Sequence, residues 1–90
     1  MIYEYNTQGV CSSKITFDID ENGIVSNVSF QGGCNGNLKG ISALANGRRA
    51  EELIPIISGI KCGFKETSCP DQFSKALTEA LKERNAVGAN

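Results

Sequence analysis

A chain of 90 residues makes one domain with a modest core, able to take about 60% of its unfolded surface out of water. Its residues are 40% hydrophobic and 21% charged, and nine Lys and Arg against ten Asp and Glu leave a net charge of −1. Arg48-Arg49 is the only adjacent pair of cations and Trp is absent, so neither phosphate contacts nor base stacking supports direct nucleic-acid binding. No apolar stretch approaches the roughly 20 residues of a membrane helix, so no membrane is expected as a partner.

The chain opens with Met1-Ile2-Tyr3-Glu4-Tyr5-Asn6, which has no basic n-region and no apolar h-region. A signal peptide is therefore not expected, and the chain is assigned to the cytoplasm, where thiols stay reduced. Ile2–Tyr5 is a candidate strand. Ile15, Phe17 and Ile19 alternate with Thr16, Asp18 and Asp20, the period of two of a half-buried strand. Asp20-Glu21-Asn22-Gly23 reads as a hairpin turn, with Asn22-Gly23 supplying positive φ angles. In the next strand, Ile24, Val28 and Phe30 are expected to share one face, with Asn27 and Ser29 outward.

A glycine-rich loop follows, Gln31-Gly32-Gly33-Cys34-Asn35-Gly36-Asn37, and leads into a helix carrying Leu38, Ile41, Leu44 and Ala45 at helical spacing. Asn46-Gly47 ends that helix. A short second helix starts near Arg49 and turns Leu53, Ile54 and Ile57 inward, with a kink or break expected at Pro55. Residues 59–66 read as a loop. The final helix carries Phe73, Ala76, Leu77, Ala80, Leu81 and Arg84 at intervals of three and four. Ser68 is its N-cap, Asp71 completes a Ser-x-x-Asp capping pattern, and Pro70 is tolerated in the first turn. The expected fold is α+β: an antiparallel sheet of two to three strands, then about three helices packed on one face. Residues 1–85 form the single domain and 86–90 a frayed tail.

Four cysteines and no histidine restrict the chemistry. Without His there is no imidazole base and no mixed Cys/His zinc site, so sulfur is the expected carrier of any reaction or ligation. Cys11, Cys34, Cys62 and Cys69 each lie where an element begins or ends, from which side chains can converge. Cys34 and Cys69 stand beside helix N-termini, whose partial positive charge suits sulfur as a ligand or nucleophile. Gly32, Gly33 and Gly36 allow close backbone approach around Cys34, and Gly33, Asn35 and Gly36 are candidate cofactor-binding positions in a loop able to cradle a phosphate. That loop lacks the spaced glycines and the Lys-Ser/Thr of a P-loop, which favours a plain tight turn.

Three readings of the sulfurs stay open. Four thiolates suit a metal, zinc ahead of an iron–sulfur cluster, although the intervals match no C-x-x-C ribbon. Cys62 and Cys69 are close enough in sequence to cycle between dithiol and disulfide. The third reading is four small buried hydrophobes. Elsewhere, Arg48-Arg49 reads as a solvated helix start, Asp18, Asp20 and Glu21 as an acidic hairpin turn without calcium-loop spacing, and Tyr3, Tyr5 and Phe64 as packing residues.

Thr67-Ser68-Cys69-Pro70-Asp71, followed by an amphipathic helix, resembles the TSCPD domain, which takes its name from that pentapeptide. Gly9-Val10-Cys11-Ser12, Gly32-Gly33-Cys34-Asn35-Gly36-Asn37 and Ile60-Lys61-Cys62-Gly63 look like the family's other cysteine motifs, so the likeness covers nearly the whole chain. The family includes stand-alone proteins and a C-terminal extension of adenosylcobalamin-dependent ribonucleotide reductases. The resemblance implies a metal site at Cys11, Cys34, Cys62 and Cys69. It also implies a link to ribonucleoside-diphosphate reduction and DNA synthesis, with a ribonucleotide reductase or another large enzyme as partner. Ninety residues cannot house a reductase barrel, cofactor site and allosteric site, so this chain is expected to be an accessory rather than catalytic alone.

A fainter similarity runs to NifU/IscU-type iron–sulfur scaffolds, which place cysteines in the order of Cys11, Cys34 and Cys69. Here Ser12-Ser13 replaces their Gly-Asp, and Ser68 stands where many have His.

Overall fold

The structure, a computed structural model, describes residues 2–33 and 35–88. Three strands come first: β1 (Ile2–Asn6), β2 (Ser12–Ile19) and β3 (Val25–Gly32). They pair antiparallel in the order β1-β2-β3. Three helices follow: α1 (Asn35–Ala45), α2 (Ala50–Ile57) and α3 (Cys69–Gly88). The fold is thus α+β, as the alternating and helical spacings predict.

The core forms between one face of the sheet and the helices. Ile15, Phe17 and Ile19 of β2 are buried against Phe73, Ala76, Leu77 and Ala80 of α3, with Tyr3, Tyr5, Val28 and Phe30 packed around them. Phe73 sits at the centre, edge-on to Phe17 and to Phe30 with ring centroids 5.7 Å away in each case. Tyr3 stacks on the other side of Phe17 at 5.8 Å.

The β2–β3 hairpin closes with a backbone bond from the Gly23 N–H to Asp20 O, while Asp20 N–H donates to Ile24 O. The Asp20 carboxylate accepts the N–H groups of Asn22 and Ile24 at 2.8 and 2.9 Å. Only Gly23 takes a positive φ (82°); Asn22 does not, contrary to the sequence reading. This is a three-residue loop ending in a left-handed glycine, rather than a two-residue turn that needs two such residues.

Two irregularities in the β2–β3 register change which side chains face inward. The first lies where Thr16 pairs with Ser29 but Asp18 with Ser26, leaving an extra residue on β3. Asn27 fills it at φ 52°, a conformation that Asn accepts more readily than most residues. The bulge reverses the alternation, so Val25 rather than Ile24 joins Val28 and Phe30 in the core. Ile24 instead forms an isolated bridge with Arg49. That bridge belongs to a strap: residues 46–49 lie along the start of β3, with Val25 N–H donating to Arg48 O and Gly47 N–H to Val25 O, both at 2.8 Å. The second irregularity falls between Ser12 and Lys14, beside the sulfur cluster described below.

Beyond the sheet, three residues depart from expectation. Leu44 is 70% exposed, because α1 packs its Leu38 and Ala45 side inward and leaves Leu44 at the open rim between α1 and α2. Pro55 does not end α2, which runs through it to Ile57 and closes with the Ser58 N–H on Ile54 O. The residue before it stays helical because Leu53, Ile54 and Ile57 are held against the core. Phe64 is fully exposed on the loop between α2 and α3, not packed. No helix among the described residues is long and apolar enough to cross a membrane.

Candidate functional site

The first residues of α3 organise the site. Ser68 caps the helix as its spacing predicts, its Oγ accepting the Asp71 N–H at 3.2 Å. The same hydroxyl donates to Ile60 O at 2.6 Å, binding the 59–66 loop to the helix end. Asp71 does not complete a reciprocal box. Its carboxylate turns to the loop, accepting the Gly59 N–H at 2.7 Å and the Thr67 hydroxyl at 2.5 Å. Those two donors, with Lys75 nearby, hold the Asp71 carboxyl below its ordinary pKa, the Thr67 hydroxyl first, in spite of opposition from burial. Pro70 falls in the first turn, where a helix has no use for its missing N–H.

Thr67 and Gln72 extend this network to the segment between β1 and β2. The Gln72 amide donates to Thr67 Oγ1 at 3.0 Å and accepts the Gln8 N–H at 3.1 Å. Thr7 donates from its hydroxyl to Ser12 O and from its backbone to Ser13 O. The Cys62 N–H reaches Thr67 O at 3.3 Å. Polar contacts from Thr67, Ser68, Asp71 and Gln72 therefore draw the Cys11 segment and the Cys62 loop onto the end of α3 that begins with Cys69.

The sulfurs of Cys11 and Cys69 lie 3.7 Å apart. Cys11 is exposed, Cys69 is buried, and no described cysteine forms a disulfide. The Ser12–Lys14 bulge then has a chemical consequence. It turns Ser12 to the inner face with Ile15, Phe17 and Ile19, which are an odd number of residues away. Ser12 is buried, with its hydroxyl 3.2 Å from the Cys69 sulfur.

Cys11, Cys62 and Cys69 all line one cavity of about 540 Å³, walled by Gly36, Leu38, Ile41 and Leu44 of α1 and by Ile60 and Lys61 of the loop. Cys34 lies outside the described residues. On either side of it, Gly33 and Gly36 are placed. Gly36 borders the cavity, and Gly33 adopts φ 86° so close to the site that a Cβ there would lie 3.1 Å from the Cys11 sulfur and 2.8 Å from Leu38 Cδ1. Asn35 begins α1. Among the described residues, no three Cys, Asp or Glu form a group placed to hold a metal ion.

Sequence reasoning missed Ser12 and Gln72. Ser12 gave no signal, since only the bulge brings it inward. Gln72 follows the capping pattern directly and its partner, Gln8, is remote in sequence. The sulfur contact formed is Cys11 with Cys69, while Cys62 reaches the site through the cavity wall.

Among known proteins, no curated protein and no solved structure matches this chain, so the fainter likeness to NifU/IscU-type scaffolds has no structural relative behind it. One family model does match, that of the TSCPD domain, over residues 2–81. With that match spanning all three strands, the first two helices and the pentapeptide that ties the sulfur-bearing segments together, the chain belongs to the TSCPD domain family.

Proposed function

We propose that this protein is a four-cysteine metal-binding module, with zinc as its metal, that serves ribonucleotide reduction as an accessory to a larger enzyme in the cytoplasm. The observation that carries the reading is the 3.7 Å separation of the Cys11 and Cys69 sulfurs. Zinc binds thiolate at about 2.3 Å, and a tetrahedron with that radius has edges of about 3.8 Å. Two sulfurs 58 residues apart in sequence thus stand at the separation of adjacent ligands on one zinc ion. Cys62 faces the same cavity, and Cys34 completes the set by sequence, from a loop whose flanking Gly33 and Gly36 border the others.

The donor set fits. Four sulfurs without His select a soft or borderline metal. Bound there, zinc would cross-link the strand segment, the glycine loop, the 59–66 loop and α3, so that binding energy becomes folding energy. The chain's own part is to bring the ligands together. Ser68 and Asp71 fix the loop to the helix, and Thr67 and Gln72 fix the Cys11 segment. The Ser12 hydroxyl supports the Cys69 sulfur from outside the ligand set, as hydrogen-bonding neighbours of metal ligands do.

The link to ribonucleotide reduction rests on family membership. TSCPD domains occur as extensions of adenosylcobalamin-dependent reductases, and membership of that family supports the same role here. Metal analysis of anaerobically purified protein tests the reading. One zinc per chain, with the four thiols shielded from alkylation, is expected. A metal content near zero with four titratable thiols would remove it.

A further inference from the structure

The geometry points to Cys11 and Cys69 as a redox-active dithiol that forms a disulfide on reaction with a hydroperoxide. Their sulfurs are already in van der Waals contact at 3.7 Å, although 58 residues separate them in sequence. A short sequence interval favours Cys62 and Cys69, but folding gives Cys69 a different neighbour. This inference concerns the metal-free protein and needs only the contact between the two sulfurs.

The two cysteines are unequal in the way the reaction requires. Cys11 is exposed, on the bend before β2, where an oxidant reaches it from solvent. Cys69 is buried at the start of α3, with the Ser12 hydroxyl on one side and the Cys11 sulfur on another. Attack of the Cys11 thiolate on the O–O bond of ROOH transfers one oxygen to sulfur. The alkoxide leaves and takes up a proton as ROH, and Cys11 becomes a sulfenic acid. The Cys69 sulfur then attacks Cys11 Sγ. The S–O bond breaks, the S–S bond forms, and hydroxide departs as water with the Cys69 proton. Two thiols and one hydroperoxide give one disulfide, one alcohol and one water. Two electrons pass from sulfur to oxygen, and a cellular dithiol reverses the change. Closing the gap to the S–S bond length of about 2.05 Å takes a shift of the Cys11 bend, since Cys69 is the first residue of α3, whose end Ser68 caps. A disulfide would also consume two metal ligands, so oxidation and metal occupancy exclude each other.

The test uses the full-length wild-type chain, reduced and stripped with a chelator, treated with one equivalent of cumene hydroperoxide. Remaining thiols are then alkylated, and the unreduced protein is digested and mapped by mass spectrometry. The expected result is a loss of about 2 Da, a Cys11–Cys69 linked peptide as the main product, and full reversal by a dithiol. Cys62→Ser should retain that cross-link, and Cys69→Ser should leave a Cys11 sulfenic acid that dimedone traps. A map in which Cys69 pairs chiefly with Cys62 or Cys34, or in which both Cys11 and Cys69 remain alkylatable after treatment, overturns the assignment.

Discussion

Single residues around the sulfurs have little freedom to vary. Gly33 combines a left-handed φ of 86° with a position where a Cβ would meet Leu38 at 2.8 Å and Cys11 at 3.1 Å. Backbone strain alone costs an L-residue about 1–3 kcal/mol there. Gly33→Ala should therefore lower stability by at least that range in denaturant titration, whereas Gly40→Ala, with open space around it, should not lower it. Asp71 governs acid stability. Its folded pKa lies below the unfolded value of about 3.9, so its contribution is complete above that pH and is lost as pH falls through the lower folded value. Asp20, held down chiefly by the Ile24 N–H, acts in the same direction. Asp71→Ala should cost about 2 kcal/mol near neutral pH, because it removes the hydrogen bonds that the charged carboxylate accepts from the Thr67 hydroxyl and the Gly59 N–H. Thermal melts between pH 2 and 7 should show the gap between variant and wild type closing as the acid end is approached.

At the scale of elements, helical spacing alone did not say which apolar residues find partners. Leu77 and Leu44 both recur at helical intervals, yet Leu77 is fully buried under the sheet and Leu44 is 70% exposed. Leu77→Ala should cost about 2–5 kcal/mol, and Leu44→Ala well under 1 kcal/mol, measured by the same titration. β2 and α3 were legible in sequence because their signals are local: Ile15, Phe17 and Ile19 alternate, and Ser68 and Asp71 mark a helix start. The start of β3 was not. One extra residue at Asn27 reverses every side chain before it, and nothing in the alternation of Val28 and Phe30 reveals the reversal. Pro55 misled for a related reason: tertiary packing of Leu53, Ile54 and Ile57 outweighs the local preference to break.

At the scale of the whole molecule, the candidate site was half legible. The cysteines could be picked out by type and by their places at element ends, but not which of them meet. That depends on a bulge that aims Ser12 inward and on a polar network from Gln8 through Gln72 and Thr67 to Asp71, in which Gln8 is 64 residues from its partner. The pentapeptide around Cys69 is the joint of this arrangement, since Thr67, Ser68 and Asp71 tie the Cys62 loop to the start of α3, and Gln72, bound to Thr67, holds Gln8 of the segment before Cys11. We propose that this joint assembles a four-sulfur tetrahedral metal site. Cobalt(II) titration of the reduced, metal-free protein tests it most directly. Saturation at one cobalt per chain is expected, with intense sulfur-to-cobalt charge transfer and tetrahedral ligand-field bands, both lost when zinc is added and weakened in Cys11→Ser. A titration that leaves only the faint spectrum of hydrated cobalt would contradict it.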